Sequence, residues 1–165
     1  MKGFLIDARR QELREIEWGG PKDLARLLGT DGRLQMTPIR DEMGDWILTA
    51  DDAWIDPQHL FQIAADGPPL PALGIVIGPS LYDELTGAHL ETAAPTITLQ
   101  TLRLLVRFMT RDQAFAWADA SDHPDAWSVR HRLLKSPEPA KPAGHANRPP
   151  AAPSGSENGA AGRAD

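Results

Sequence analysis

Six basic side chains in the C-terminal half of the chain could contact phosphates or an acidic partner. Arg103, Arg107 and Arg111 recur every four residues, a spacing that would place them on one face of a helix. The other three, Arg130, Arg132 and Lys135, lie in the segment 126–136, which contains no acidic residue. Arginine is enriched at interfaces, but an ordinary solvated face is the simpler interpretation, since no aromatic residue interleaves to stack bases.

The densest set of potential metal ligands is Asp119, Asp122, His123 and Asp125. The segment lacks the alternating oxygen ligands and the turn glycine of a hard-cation loop. A simpler interpretation is that Asp122 or His123 caps a helix starting at Pro124, and that Asp125 favours the positive end of that helix. We therefore predict no metal ligand and no cofactor.

Hydrolase and nucleotide-binding motifs are absent from the sequence. Gly78-Pro79-Ser80 follows an apolar run, where a nucleophile elbow would lie, but proline occupies the turn and Gly-x-Ser-x-Gly does not occur. Neither a P-loop nor Gly-x-Gly-x-x-Gly is present. The acid pairs Glu15/Glu17 and Asp51/Asp52 lie in predicted exposed hairpins, without the burial that acid–base catalysis uses. No catalytic residue is predicted, and an unrecognised enzyme stays as an alternative.

Composition indicates a folded, moderately acidic protein. The 165 residues include 41% hydrophobic side chains and five tryptophans, enough for a core, and the formal net charge is −6. The absence of cysteine excludes disulfides, thiolate zinc sites and cysteine nucleophiles. An acidic body repels duplex phosphates, which disfavours general nucleic-acid binding.

The N-terminal half reads as strands with one short helix. Phe4 and Ile6 share one parity, and Ile16 and Trp18 alternate with glutamates, which predicts an antiparallel hairpin. A leucine-rich helix follows, with Pro21 at its start and Gly29 as its stop. Further strands are predicted near residues 34–39, 46–49 and 61–63. The run 73–78 is apolar on both parities, so it should be a central strand.

The C-terminal part reads as helices. Thr98 is a candidate N-cap for a helix over 99–109, and Thr110 or Asp112 for one over 113–120. A last helix runs from Pro124 through residue 134, with one stripe in which His131 packs beside its neighbours Trp127 and Leu134.

Strands first and helices last predict the α+β class, with a small antiparallel or mixed sheet from the N-terminal hairpins. We expect one domain at 1–135, strand-rich over 1–97 and helical over 98–135. Residues 136–165, rich in Pro, Ala and Gly and without an aromatic residue, are predicted to be a disordered tail.

Several N-terminal features together resemble a known family. They are Met1-Lys2-x-x-Leu5-Ile6-Asp7, the charged hairpin over 12–17, the leucine-rich helix, the turns Gly44-Asp45 and Asp51-Asp52, and the strand over 73–78. Across roughly residues 1–110 the chain resembles small uncharacterised proteins carried by phages, plasmids and their bacterial hosts, a domain of unknown function. The resemblance implies a mobile-element setting and carries over no catalytic residue.

We therefore expect a cytoplasmic, non-enzymatic accessory protein of a mobile genetic element. No apolar run approaches the roughly 20 residues that span a bilayer, and Asp7 interrupts any N-terminal signal core. Its partner would be a host or element-encoded protein, with an anti-defence role as one version. The alternative is a nucleic-acid-associated protein that uses the six basic residues.

Overall fold

Strands dominate the first two thirds of the computed structural model, which describes residues 1–39, 44–55, 57–82 and 89–136. The strands described are β1 (Lys2–Asp7), β2 (Glu12–Glu17), β3 (Leu34–Pro38), β4 (Trp46–Ala50), β5 (His59–Ile63), β6 (Leu70–Pro71), β7 (Leu73–Ile77), β8 (Ser80–Tyr82), β9 (His89–Thr92) and β10 (Val106–Thr110). They form a five-stranded sheet in the order β2-β1-β7-β4-β3, a three-stranded sheet β10-β5-β6 and the pair β8-β9. All pairings are antiparallel.

The helices are α1 (Pro21–Leu28), α2 (Leu99–Leu105), α3 (Arg111–Ala120) and α4 (Ala126–Lys135), with a 3₁₀ turn at Asp51–Trp54. This arrangement confirms the α+β class. The predicted helix boundaries at Gly29, Thr98 and Thr110 are confirmed. Gly29 takes the left-handed conformation with φ 67°, a backbone state that glycine adopts without steric cost. Thr98 accepts from the Thr101 backbone N–H, and Thr110 forms a capping box with Gln113.

Strand β7 is the middle of the five-stranded sheet, as its two-sided apolar pattern predicted. One face of this sheet is covered by α1, which inserts Leu24 and Leu28. They join a buried cluster with side chains of β1, β2, β4 and β7, including Leu5, Ile16 and Ile75. This cluster explains why the leucines of the short helix recur at helical spacing.

The three-stranded sheet packs on the opposite face of the five-stranded sheet. Phe61 of β5 is fully buried, in a cluster with Ile6, Ile47 and Val76. The ring meets β7 at Gly74, where a Cβ atom would lie 2.5 Å from Phe61 Cζ and 2.8 Å from Ile47 Cδ1. The two sheets can approach this closely only because residue 74 has no side chain.

Helices α3 and α4 cover the outer face of the three-stranded sheet. Leu60 and Met109 lie on that face, and Val129 and Leu133 of α4 pack with them. Trp54, from the 3₁₀ turn, belongs to the same cluster. Helix α4 thus packs in a separate hydrophobic cluster, on the face of the three-stranded sheet that is turned away from the five-stranded sheet.

The predicted helix over 99–109 is wrong in its second half. Helix α2 ends at Leu105, and the next five residues form β10, which pairs with β5 so that Phe108 lies opposite Phe61. Val106 and Phe108 turn toward the cluster between the sheets, and β-branched and aromatic residues favour strands. The segment predicted as helical, 98–135, therefore contains a strand.

Asp45, which the sequence assigned to a polar turn, is 1% exposed. Its carboxylate accepts hydrogen bonds from the Thr96 backbone N–H (2.8 Å), the Thr96 hydroxyl (2.9 Å) and the Ile97 backbone N–H (2.7 Å). A buried carboxylate is tolerated when its oxygens are satisfied in this way. The bonds fix the segment that leads into α2 against the start of β4.

The predicted turn residues 41–43 and the predicted tail beyond Ser136 lie outside the described residues. Within the described part of the chain, no helix has the length and apolar character needed to cross a membrane.

We predict that Asp45→Asn lowers the free energy of unfolding by about 2 kcal/mol, because an amide N–H₂ would face a backbone or hydroxyl donor inside the core. Urea denaturation of both proteins measures the difference. Asp66→Asn is the matched control, since Asp66 is exposed, and it should change stability by less than about 0.5 kcal/mol. Equal effects of the two substitutions would contradict the role given to Asp45.

We predict that Gly74→Ala costs about 2–3 kcal/mol, because its methyl group overlaps the Phe61 ring. Trimming the ring with Phe61→Leu should make the double variant less destabilised than the sum of the two single changes. Thermal or urea unfolding of the four proteins gives the coupling. Strict additivity would show that the two residues do not meet as described.

Candidate functional site

Helix α4 buries one face and exposes another that is also apolar. Ala126, Val129 and Leu133 are buried. Trp127 and Leu134, however, are 73% and 58% exposed. The predicted stripe therefore exists, but it is directed away from the core. Ala126, Val129 and Leu133 form an equally regular stripe, and they are the residues that pack against the core.

The outer face of α4, defined here as Trp127, His131 and Leu134, is locally ordered. The Trp127 indole and the His131 ring are stacked, with centroids 5.0 Å apart and planes 11° apart. The prediction that His131 packs beside Trp127 is confirmed. Stacking between residues one helical turn apart restricts the rotamers of both rings.

The first three candidate arginines do not share a helical face, because the helix ends between them. Arg103 lies on α2, Arg107 on β10 opposite Gln62, and Arg111 at the start of α3. Arg103 and Arg107 are exposed, whereas Arg111 is half-buried. The prediction of a single basic helical stripe is wrong for the reason given above, the conversion of residues 106–110 to strand.

Arg111 makes a structural contact within the chain, whereas its spacing had predicted a place in a basic helical stripe. Its guanidinium donates to the carbonyl oxygens of Leu133 (2.7 Å) and Ser136 (3.0 Å). It also lies 5.5 Å from the centroid of the Phe115 ring. A cation at the last carbonyls of a helix satisfies them and complements the negative end of the helix dipole. Arg111 therefore fastens the end of α4 to α3.

The three basic residues of α4 point in different directions. Arg130 pairs with Asp119 of α3 at 2.7 Å, with both side chains about half exposed (50% and 58%). Lys135 is exposed. Arg132 turns to the other side of the helix, where Nη1 lies 3.3 Å from Gln35 Oε1 and 3.9 Å from Asp51 Oδ1. The basic segment is therefore not one patch.

Arg132 also forms one wall of a groove of about 160 Å³, which we call the Trp54 groove. The groove lies between α4, strand β3 and the loop Pro68-Pro69. The Arg132 guanidinium lies 5.3 Å from the centroid of the Trp54 ring. A guanidinium held over an indole is a cation–π pair. Sequence reasoning did not find this groove, because Arg132 and Gln35 are 97 positions apart and no local pattern joins them.

The acidic and histidine segment before α4 forms a turn. The His123 backbone N–H donates to Ser121 Oγ, and His123 Nδ1 accepts from the Asp125 backbone N–H at 3.1 Å. His123 thus caps the turn that leads into α4, although the helix begins at Ala126 rather than at Pro124. Among the described residues, no three His, Asp or Glu side chains lie together as a metal site would need.

Glu15 and Glu17 line a second cavity, of about 270 Å³, at the β1–β2 hairpin. Phe4 and Pro95 supply its apolar part, and Lys2 lies opposite Glu17 across the strands. Both glutamates are exposed. An aromatic surface bordered by carboxylates can accept an amphipathic or basic side chain.

Comparisons of the chain with protein-family models, curated proteins and solved structures found no match. The resemblance to phage and plasmid proteins therefore stays a prediction.

We predict that Arg111→Met lowers the free energy of unfolding by about 2 kcal/mol, because it leaves the Leu133 and Ser136 carbonyls without their charged donor. Arg130→Met removes the same group from an exposed ion pair and should cost less than about 0.5 kcal/mol. Both are measured by urea denaturation. A larger loss for Arg130→Met than for Arg111→Met would overturn this assignment.

Proposed function

We propose that the chain is a non-enzymatic binding protein that contacts a partner protein through the outer face of α4. The observation that carries the proposal is the exposure of Trp127, 73% of whose surface faces solvent. The residue lies in a helix whose core contacts are already supplied by other residues. Folding therefore gives no reason for an indole at this position.

The composition of the outer face is that of a binding hot spot. Tryptophan is the residue most enriched among positions that dominate binding energy, because it buries a large rigid surface. Leu134 lies seven residues after Trp127, two helical turns along the same face. An amphipathic helix with anchors at this spacing suits the groove of another protein.

The charges beside the outer face indicate the chemistry of the partner. Arg130 and Lys135 lie on α4 next to the apolar stripe, and the helix carries no acidic residue. A partner with an apolar groove and an acidic rim would complement this surface, with the charges aiding encounter and orientation. The chain as a whole carries a net charge of −6, so the acidic remainder outside α4 would restrict the contact to this one face.

The protein-contact function has more support than nucleic-acid association. Arg111 and Arg132 each hold a contact within the chain, and neither could reach phosphates without giving up that contact. The family resemblance implies a mobile-element setting. In that setting the proposed partner is a host or element-encoded protein, and an anti-defence role is one form of this proposal.

The test is capture of partners by the tagged full-length chain from lysate of the cells that carry it, with and without nuclease. We predict that Trp127→Ala/Leu134→Ala loses a nuclease-resistant protein partner by more than about tenfold, since hot-spot residues contribute 2 kcal/mol or more. Arg130→Glu/Lys135→Glu should weaken capture as well, because it reverses the flanking charge.

Leu104→Ala is the matched control, since Leu104 is an 82% exposed leucine on α2. It should leave capture unchanged. Unfolding in urea should be alike for Trp127→Ala/Leu134→Ala and Leu104→Ala, because none of these three residues is buried. Capture that survives Trp127→Ala/Leu134→Ala, or that disappears with nuclease, would refute the proposal.

A further inference from the structure

We infer that the outer edge of strand β3 pairs with the same strand of a second copy of this chain, which would join two five-stranded sheets into one. β2 and β3 are the two edge strands of that sheet. Among the described strands, β3 is hydrogen-bonded to β4 alone. The edge includes no residue of the outer face of α4, so the inference goes beyond the proposed partner contact and does not depend on it.

The backbone of β3 alternates between groups that bond β4 and groups that point away from the sheet. The Ile39 N–H donates to the Asp45 carbonyl oxygen, and the Asp51 N–H donates to the Arg33 carbonyl oxygen, both at 3.0 Å. In an antiparallel ladder the residues that bond one neighbouring strand alternate with those that do not, so every second residue from 33 to 39 faces β4. The residues whose backbone groups point away from the sheet are therefore Leu34, Met36 and Pro38.

Strand β3 carries no charged side chain, and the apolar residue at its centre is exposed. Its sequence is Leu-Gln-Met-Thr-Pro, and Met36 is 45% exposed. Natural proteins protect edge strands from pairing with charged side chains, prolines, bulges or a covering element. In β3 this protection is limited to Pro38, which removes the outward N–H at the last position of the strand. The outward donors of Leu34 and Met36 stay in place.

The other edge of the sheet, strand β2, is protected against pairing with its own copy. The Trp18 N–H donates to the Met1 carbonyl oxygen at 3.0 Å, so by the same alternation the outward residues of β2 are Leu13, Glu15 and Glu17. Antiparallel pairing of β2 with a second β2 about Glu15 would set two carboxylates directly opposite each other. Like charges in this position are destabilising. Charge therefore opposes self-pairing at β2 and does not oppose it at β3.

One register pairs the whole of β3 with its copy. A two-fold axis at Met36 places each Met36 opposite its counterpart and each Leu34 opposite Pro38 of the second copy. The Met36 N–H of each chain then donates to the Met36 carbonyl oxygen of the other, and each Leu34 N–H donates to the opposite Pro38 carbonyl oxygen. Pro38 acts here as an acceptor, for which it needs no N–H. The two Met36 side chains meet on one face of the joined sheet, so the same patch of both chains forms the interface, as in most homodimers.

The contact is small, so the association should be weak. Stable interfaces use roughly 20–30 residues from each chain, whereas this pairing uses the 5 residues of β3. We therefore expect monomer and dimer in equilibrium, with a dissociation constant between micromolar and millimolar, in place of a permanent dimer.

Sedimentation velocity of the full-length chain, from micromolar to millimolar concentration, measures this equilibrium. Met36→Lys and Met36→Glu should each give a monomer at every concentration, because two like charges would meet at the axis. An equimolar mixture of the two variants should dimerise again, because opposite charges then face each other, and this recovery separates lost pairing from lost folding. A parent chain that stays monomeric throughout, variants that dimerise as it does, or a mixture that stays monomeric would overturn the inference.

The register has a test of its own, since the chain contains no cysteine. With the axis at Met36, the two Cα atoms at this position would lie about 5.5 Å apart, within the range that a disulfide spans. Mild oxidation of Met36→Cys should therefore give a disulfide-linked dimer on a non-reducing gel. Leu104→Cys is the matched control for random collision, because Leu104 is 82% exposed on α2, and it should cross-link far less. Equal cross-linking of the two variants would overturn the proposed pairing.

Discussion

The close approach of the Phe61 ring to the bare backbone of Gly74 is the contact on which the rest of the molecule depends. It lets the three-stranded sheet lie directly on the middle strand of the five-stranded sheet. Once Phe61 faces inward, the alternation of β5 turns Leu60 outward, and pairing with β10 places Met109 beside it. The outer face of the smaller sheet is thereby apolar, and it is this surface that α3 and α4 cover.

Helix α4 is held along its inner face and at its C-terminal end. Leu133 and Val129 bind it to the smaller sheet, while the Arg111 guanidinium holds its last carbonyls and the Ser136 hydroxyl meets the Trp54 backbone. These contacts satisfy the inner face and the C-terminal end of the helix. Trp127 takes part in none of them. The exposed indole therefore lies on a firmly held helix, and this rigidity would reduce the entropy lost if the proposed partner binds there.

The sequence alone predicted those elements whose residue pattern fits only one structure, such as the alternating β1–β2 hairpin and the strand β7, which is apolar on both faces. It failed where two patterns fitted equally well. Leucines around residue 105 fit a helix, but pairing of Val106 and Phe108 with β5 decides for a strand. Asp45 and the Trp54 groove could not be predicted, because each is made by segments far apart in sequence, and Asp45 alone joins positions 51 and 52 residues away.

The basic segment 126–136 shows why charge counted along a sequence does not define a surface. Its three cations fall on different sides of one helix: Arg130 and Lys135 flank the apolar outer face, whereas Arg132 lies over Trp54 in the groove. The three positive charges in these eleven residues thus lie on two separate surfaces of the helix. The residues of α4 that line the groove lie on the side of the helix opposite Trp127, so a partner on the proposed outer face would leave the Trp54 groove uncovered.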